Sequence, residues 1–115
     1  MPTSPSFLEA LYRHRLRQNP RDTWAAAWLA DLLRTKGQPA KAVTLTSPLK
    51  NSLCPILQTA RAAALCDLGQ WKSAQLCLDR AFACGASQRT WQVQGRIEAW
   101  EKEEGVTQMD HSFLD

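Results

Sequence analysis

The chain has 115 residues, 44% of them hydrophobic and 22% charged, with a formal net charge of +3. That composition suits one domain with a modest core and excludes a disordered chain. No apolar run reaches the ~18–20 residues of a membrane span. The start, "MPTSPSFLEALYRHR", shows no basic n-region followed by an apolar stretch, so no signal peptide is expected and the cytosol is the expected location.

Nothing in the chain reads as strand, because Val, Ile, Thr and aromatics nowhere alternate over a sustained run. Alanine and leucine dominate, and glycine or proline punctuates at regular intervals. After a flexible N-terminus at residues 1–5, the first helix covers Ser6–Gln18. The second covers Thr23–Lys36, with Asp22 as its N-cap. The third starts at Pro39, where a missing N–H costs little. It is expected to run to Lys50 but to kink or end early at Pro48, which removes a hydrogen bond and clashes one turn back. The fourth runs Pro55–Leu68, the fifth Gln70–Cys84 and the sixth Ser87–Glu104. Gly37, Gly69, Gly85 and Gly105 follow helix-like segments, where a left-handed residue closes a helix C-terminus most readily. Residues 105–115 are expected to form a flexible tail. Links of two to five residues between such helices force antiparallel neighbours, so the expected fold is all-α.

The chain also repeats itself. A shift of 32 residues aligns Ala30 with Ala62, Leu33 with Leu65, Gly37 with Gly69, Gln38 with Gln70, and Ala42 with Ala74. Small residues at mid-helix let paired helices approach closely, and the glycines turn the chain between them. Ala62, Gly69, Trp71, Ala74 and Ala81 match, in order and spacing, the signature of the tetratricopeptide repeat (TPR), which this pattern resembles. The earlier copy keeps Ala30, Gly37 and Ala42, but Pro39 replaces the aromatic and Leu49 the last alanine. Asn19-Pro20 falls where the family closes one repeat before the next. The period departs from the family's usual value of about 34, and Arg61 stands where the family prefers leucine.

The resemblance covers residues 6–104. It implies a half repeat at 6–22, repeats at 23–54 and 55–86, and a capping helix at 87–104. About six antiparallel helices would then stack as hairpins in a short right-handed superhelix. Val93, Ile97 and Trp100 give the cap one apolar stripe, with polar residues around it.

The four cysteines, Cys54, Cys66, Cys77 and Cys84, form no C-x-x-C pair and sit among apolar neighbours. They read as small buried hydrophobes in a reducing compartment. His14 and His111 have no ligand-like spacing to them, so no metal site is expected. No phosphate-cradling glycine loop, G-x-S-x-G or H-E-x-x-H is present. The chain therefore reads as a non-enzyme without a cofactor.

Partner binding is the leading functional expectation. In the family the resemblance points to, the first helix of each pair lines a concave groove. Carrying those positions across places Trp24, Ala27, Asp31 and Arg34 there, with Trp28 beside them. It adds Ile56, Thr59, Ala63 and Cys66 from helix four, and Gln88 and Trp91 from helix six. With Trp24 and Trp28 at i, i+4 on an alanine-rich helix, at least one is expected to be buried and at least one to reach the groove. Trp71 is expected in the core. Ala27 and Asp31 stand where many TPR proteins carry a Lys/Asn clamp for a C-terminal carboxylate. An amphipathic helix or extended apolar peptide is therefore the expected ligand.

Two alternatives remain. Residues 1–50 hold eight Lys and Arg against three Asp and Glu, while residues 51–115 hold six against eight. The basic surplus clusters as Arg13, Arg15, Arg17 and Arg21, which could meet nucleic-acid phosphates or form only a solvated helix face. The acidic surplus clusters as Glu98, Glu101, Glu103 and Glu104. Alternatively the chain is a subunit of a larger assembly, or a homo-oligomer, stacking end to end. Small cytosolic TPR-like chaperones of bacterial type III secretion are similar in size and general pattern, a fold-level analogy only.

Overall fold

Asp22 sets the first interior helix. Its carboxylate accepts from the Ala25 N–H at 3.0 Å, satisfying one of the donors a helix start leaves open. In the computed structural model, which describes the backbone of residues 5–114 and the side chains of residues 6–104, six α-helices follow in order. They are α1 (Pro5–Gln18), α2 (Thr23–Thr35), α3 (Pro39–Thr46), α4 (Pro55–Asp67), α5 (Trp71–Cys84) and α6 (Gln88–Leu114). No strand occurs among the described residues. The fold is all-α.

The 32-residue echo is a repeat in geometry as well as in letters. After α2, Gly37 adopts φ +75° and after α4, Gly69 adopts +73°. Both values lie in the left-handed region that glycine enters without steric cost. The bonds around them recur one for one. Gly37 N–H donates to Arg34 O at 2.9 Å and Gln38 N–H to Leu33 O at 2.8 Å. Gly69 N–H donates to Cys66 O and Gln70 N–H to Leu65 O, both at 2.9 Å. These turns close the carbonyls that a helix end leaves open and send α3 and α5 back along α2 and α4.

Pro48 acts as expected. α3 stops at Thr46 and a single 3-10 turn, Ser47–Leu49, follows. An early stop leaves carbonyls without helical partners, and side chains supply donors, among them the Ser47 hydroxyl to Val43 O at 2.8 Å. Arg61 of α4 reaches Val43 O at 3.3 Å and the Thr46 hydroxyl at 2.7 Å. Gln58 donates to Lys50 O and Ser52 O, and Arg80 of α5 donates to Lys50 O at 2.6 Å. Arg61 is only 7% exposed. Its guanidinium serves the end of α3 from within the core.

α2, α4 and α6 pack side by side as an inner layer, and α3 and α5 each lie against two members of it. α1 covers the far side of α2. One core cluster joins α2 to α4 through Ala26, Ala27, Leu29, Ala30, Leu33, Leu57, Ala60 and Ala64, and it also takes in Ala42 of α3. A second joins α4, α5 and α6 through Ala62, Ala63, Leu65, Cys66, Ala74, Cys77, Leu78, Val93 and Ile97. α4 is central to both, and every residue from Leu57 to Cys66 is buried. Alanine at Ala60, Ala63 and Ala64 is what lets two inner helices approach it from opposite sides.

Three expectations change. α6 does not end at Glu104; its helical backbone continues through Gly105 to Leu114. A lone glycine costs a helix about 1 kcal/mol against alanine and does not forbid it. Trp71 is half-buried rather than fully core, its ring stacked on Trp100 with centroids 5.3 Å apart. Only Cys66 and Cys77 are buried, while Cys54 is half-buried and Cys84 exposed at the end of α5. Residues 1–4 and 115, part of the expected flexible termini, lie outside the described residues.

Candidate functional site

The inner face is crossed by a chain of charges. Arg34 of α2 donates to Asp67 of α4 through Nε at 2.5 Å and Nη2 at 3.2 Å. Asp67 also accepts from Arg96 of α6 at 2.9 Å. Asp31 of α2 lies 3.8 Å from Arg34 and accepts both terminal nitrogens of Arg89 of α6, Nη1 at 2.6 Å. Two aspartates thus sit among three arginines, linking all three inner helices. Bidentate pairs of this kind are the stronger sort of ion pair.

The electrostatics follow from that placement. Partial burial pushes the Asp67 carboxyl up, but hydrogen bonds from Arg34 and then Arg96 outweigh it, and its pKa falls below the ordinary carboxylate value. The hydrogen bond to Asp67 raises Arg34 further. Burial, ahead of every charge nearby, pushes the Cys66 thiol up.

This network decides which of the expected groove residues a ligand can reach. Ala27, Thr59, Ala63 and Cys66 are buried beneath the helix contacts. Thr59 spends its hydroxyl on Thr90 of α6 at 2.9 Å. Ile56 is half-buried against the α2–α4 core. Asp31 and Arg34 are half-buried and held by the ion pairs. An open floor along α4 is therefore absent; the small residues assigned to it serve packing. Gln88 is exposed at the start of α6. Trp91 is 62% exposed, but it turns toward α5, where its ring meets Phe82 with centroids 4.6 Å apart. At 100° per residue it points away from Arg89 and Arg96.

Trp24 and Trp28 are 51% and 47% exposed, so neither is buried as expected of one of them. Trp28 lines a cleft of about 300 Å³ between α1 and α2, with Leu8, Tyr12, Asp31, Leu32 and Thr35. Leu8, Tyr12, Leu32 and Thr35 were not expected as site residues from the sequence, nor was Asp67, and Arg89 and Arg96 were expected only on the polar outer face of the cap, whereas they pair with Asp31 and Asp67. The repeat holds a signal for the first group. Trp28 and Leu32 stand one 32-residue period before Ala60 and Ala64, the residues through which α4 packs on α2.

The arginines of α1 are partly neutralised. Arg13 pairs with Glu9 at 3.3 Å and Arg15 with Asp22 at 2.9 Å, leaving Arg17 and Arg21 without an ion pair among the described residues. No group of three or more His, Cys, Asp or Glu able to hold a metal occurs among the described residues, and no helix among them is long and apolar enough to cross a membrane.

No family model, curated protein or solved structure matches the chain.

Proposed function

We propose that this chain is a non-enzymatic protein-interaction module that seats a helix of another polypeptide chain in the cleft between α1 and α2. The carrying observation is the environment of Trp28. It is half-exposed beside Leu8, Tyr12 and Leu32, at the repeat position that a neighbouring inner helix covers at Ala60. A large aromatic next to aliphatic walls, rimmed by Asp31 and Thr35, suits the apolar stripe of an amphipathic helix. Tryptophan is also among the residues that most often carry binding energy. Trp24, one turn earlier, widens the surface.

An adaptor or small cytoplasmic chaperone of tetratricopeptide build fits this reading. The ligand lies at the α1 side of the inner layer rather than along α4, because the ion-pair chain holds α2, α4 and α6 together there.

The test is affinity capture from a lysate of the organism that encodes the chain. Wild type is compared with Trp28→Glu, both shown folded by circular dichroism. At least one protein retained by wild type should be lost by Trp28→Glu. The same proteins retained by both would contradict the proposal.

A further inference from the structure

We infer that the furrow between α1 and α3 is a second docking surface, and that it takes an acidic amphipathic helix of a partner protein. It lies on the other side of α1 from Leu8 and Tyr12 and does not rest on the reading of the Trp28 cleft.

The shape comes first. Two hollows of about 360 and 230 Å³ open along α1 and α3, and they share Arg13 and Leu45. They are therefore one furrow. Its floor is Leu29 and Leu33 of α2, and Leu16 of α1 and Leu45 of α3 form apolar walls. The repeat shows why it is open here. One period after Leu29 stands Arg61, and α3 lies against α4 as α1 lies against α2. The long Arg61 side chain crosses to α3, where it bonds Val43 O and Thr46. At the first repeat the same position holds a leucine, and the space beside α1 keeps an apolar floor.

Charge names the occupant. Arg13, Arg17 and Lys41 line the furrow, and no carboxylate does. Arg17 and Lys41 make no ion pair among the described residues. Glu9, one turn before Arg13, is taken up by Arg13 and Lys36. Three cations around four leucines complement an apolar stripe flanked by carboxylates. The backbone groups of α1 and α3 are bonded within their helices, so a strand would find no main-chain partners there, whereas a helix satisfies its own. No lining residue is aromatic, so a nucleic-acid strand would find phosphate contacts but nothing to stack on. A fatty acid needs an enclosed pocket, and this furrow is open to solvent.

Fluorescence anisotropy with the full chain tests this. The probe is a labelled synthetic peptide of about fourteen residues, with leucines at i, i+3, i+4 and i+7 and glutamate elsewhere. Wild type should bind it, and added salt should weaken the binding. Arg17→Glu with Lys41→Glu should weaken it about tenfold or more. Both residues are exposed, so the pair of changes leaves the core intact, and circular dichroism checks the fold. Lys72→Glu with Lys102→Glu changes the net charge equally on α5 and α6 and should have an effect of about twofold or less. A peptide of the same composition in scrambled order should bind about tenfold more weakly, because it has no stripe for the leucines. Trp28→Ala should leave binding unchanged.

No binding by wild type overturns the inference. Equal losses from the two double variants, or equal affinity for the scrambled peptide, would show attraction by charge alone and overturn it too. Binding lost on Trp28→Ala but kept by Arg17→Glu with Lys41→Glu overturns the furrow and leaves the Trp28 seat standing. Tighter binding of mixed-sequence RNA or of palmitate than of the peptide, lost on the same double change, would overturn the partner helix. So would self-association in light scattering that the double change abolishes, since a second copy would then fill the furrow.

Discussion

Arg34 and Asp67 stand 33 residues apart in sequence and form a two-point ion pair between α2 and α4. Because Asp67 also receives Arg96, one carboxylate ties three helices. Both side chains are about a quarter exposed, so each pair contributes about 0.2–1 kcal/mol, in the range of solvent-accessible ion pairs. Asp67→Asn should therefore lower unfolding stability by about 1–2 kcal/mol, read by urea denaturation, and should weaken its salt dependence.

The same residue sets a pH dependence. Its folded pKa lies below the unfolded value of about 3.9, so the unfolded state binds the proton more readily. The stabilisation is complete above the unfolded value and is lost as pH falls through the folded one. Wild type should lose stability more steeply than Asp67→Asn below about pH 4. Parallel acid limbs for the two proteins would show that Asp67 carries no such linkage.

Arg61 gives a prediction of opposite character. It is buried, finds no carboxylate among the described residues, and serves Val43 O and Thr46. Arg61→Ala removes those donors and leaves a cavity, and should cost about 2–4 kcal/mol. Arg61→Met keeps most of the volume and removes a buried charge, so it should cost less than half as much. Equal losses in denaturant melts would mean that the donors, not the packing, matter.

Thiol labelling separates the cysteines. Cys84 is exposed and Cys66 and Cys77 are buried, with burial holding the Cys66 thiol protonated. A native-state titration with a chromogenic disulfide should label Cys84 first and Cys54 more slowly. Cys66 and Cys77 should react only after denaturant is added. Fast labelling of all four would contradict the core.

Local punctuation made much of the fold legible. Asp22, Pro39, Pro48, Pro55, Gly37 and Gly69 act on the backbone within a turn of themselves, and each does so here. The site was less legible because burial depends on what lies opposite. Ala27, Thr59 and Ala63 carry no mark distinguishing a groove floor from a helix seam; contacts distant in sequence, such as Arg89–Asp31 at 58 residues and Thr59–Thr90 at 31, show that the seam is closed. Trp28 was noticed for its chemistry, yet its partners Leu8 and Tyr12 come from a helix whose docking angle the sequence does not encode locally. Arg61 departs from the repeat pattern in sequence, and only the early end of α3 shows what it serves, one carbonyl and the Thr46 hydroxyl.

The central claim is that Trp28 marks a helix seat, and photo-cross-linking tests it most directly. A photoreactive phenylalanine analogue is placed at position 28, and in a second protein at position 76, where Leu76 is exposed on α5. Both are irradiated with the captured partner or, at high concentration, with the chain itself. The account predicts adducts from position 28 that map to an amphipathic helix, and none from position 76. Adducts from position 76 with none from position 28 would contradict it.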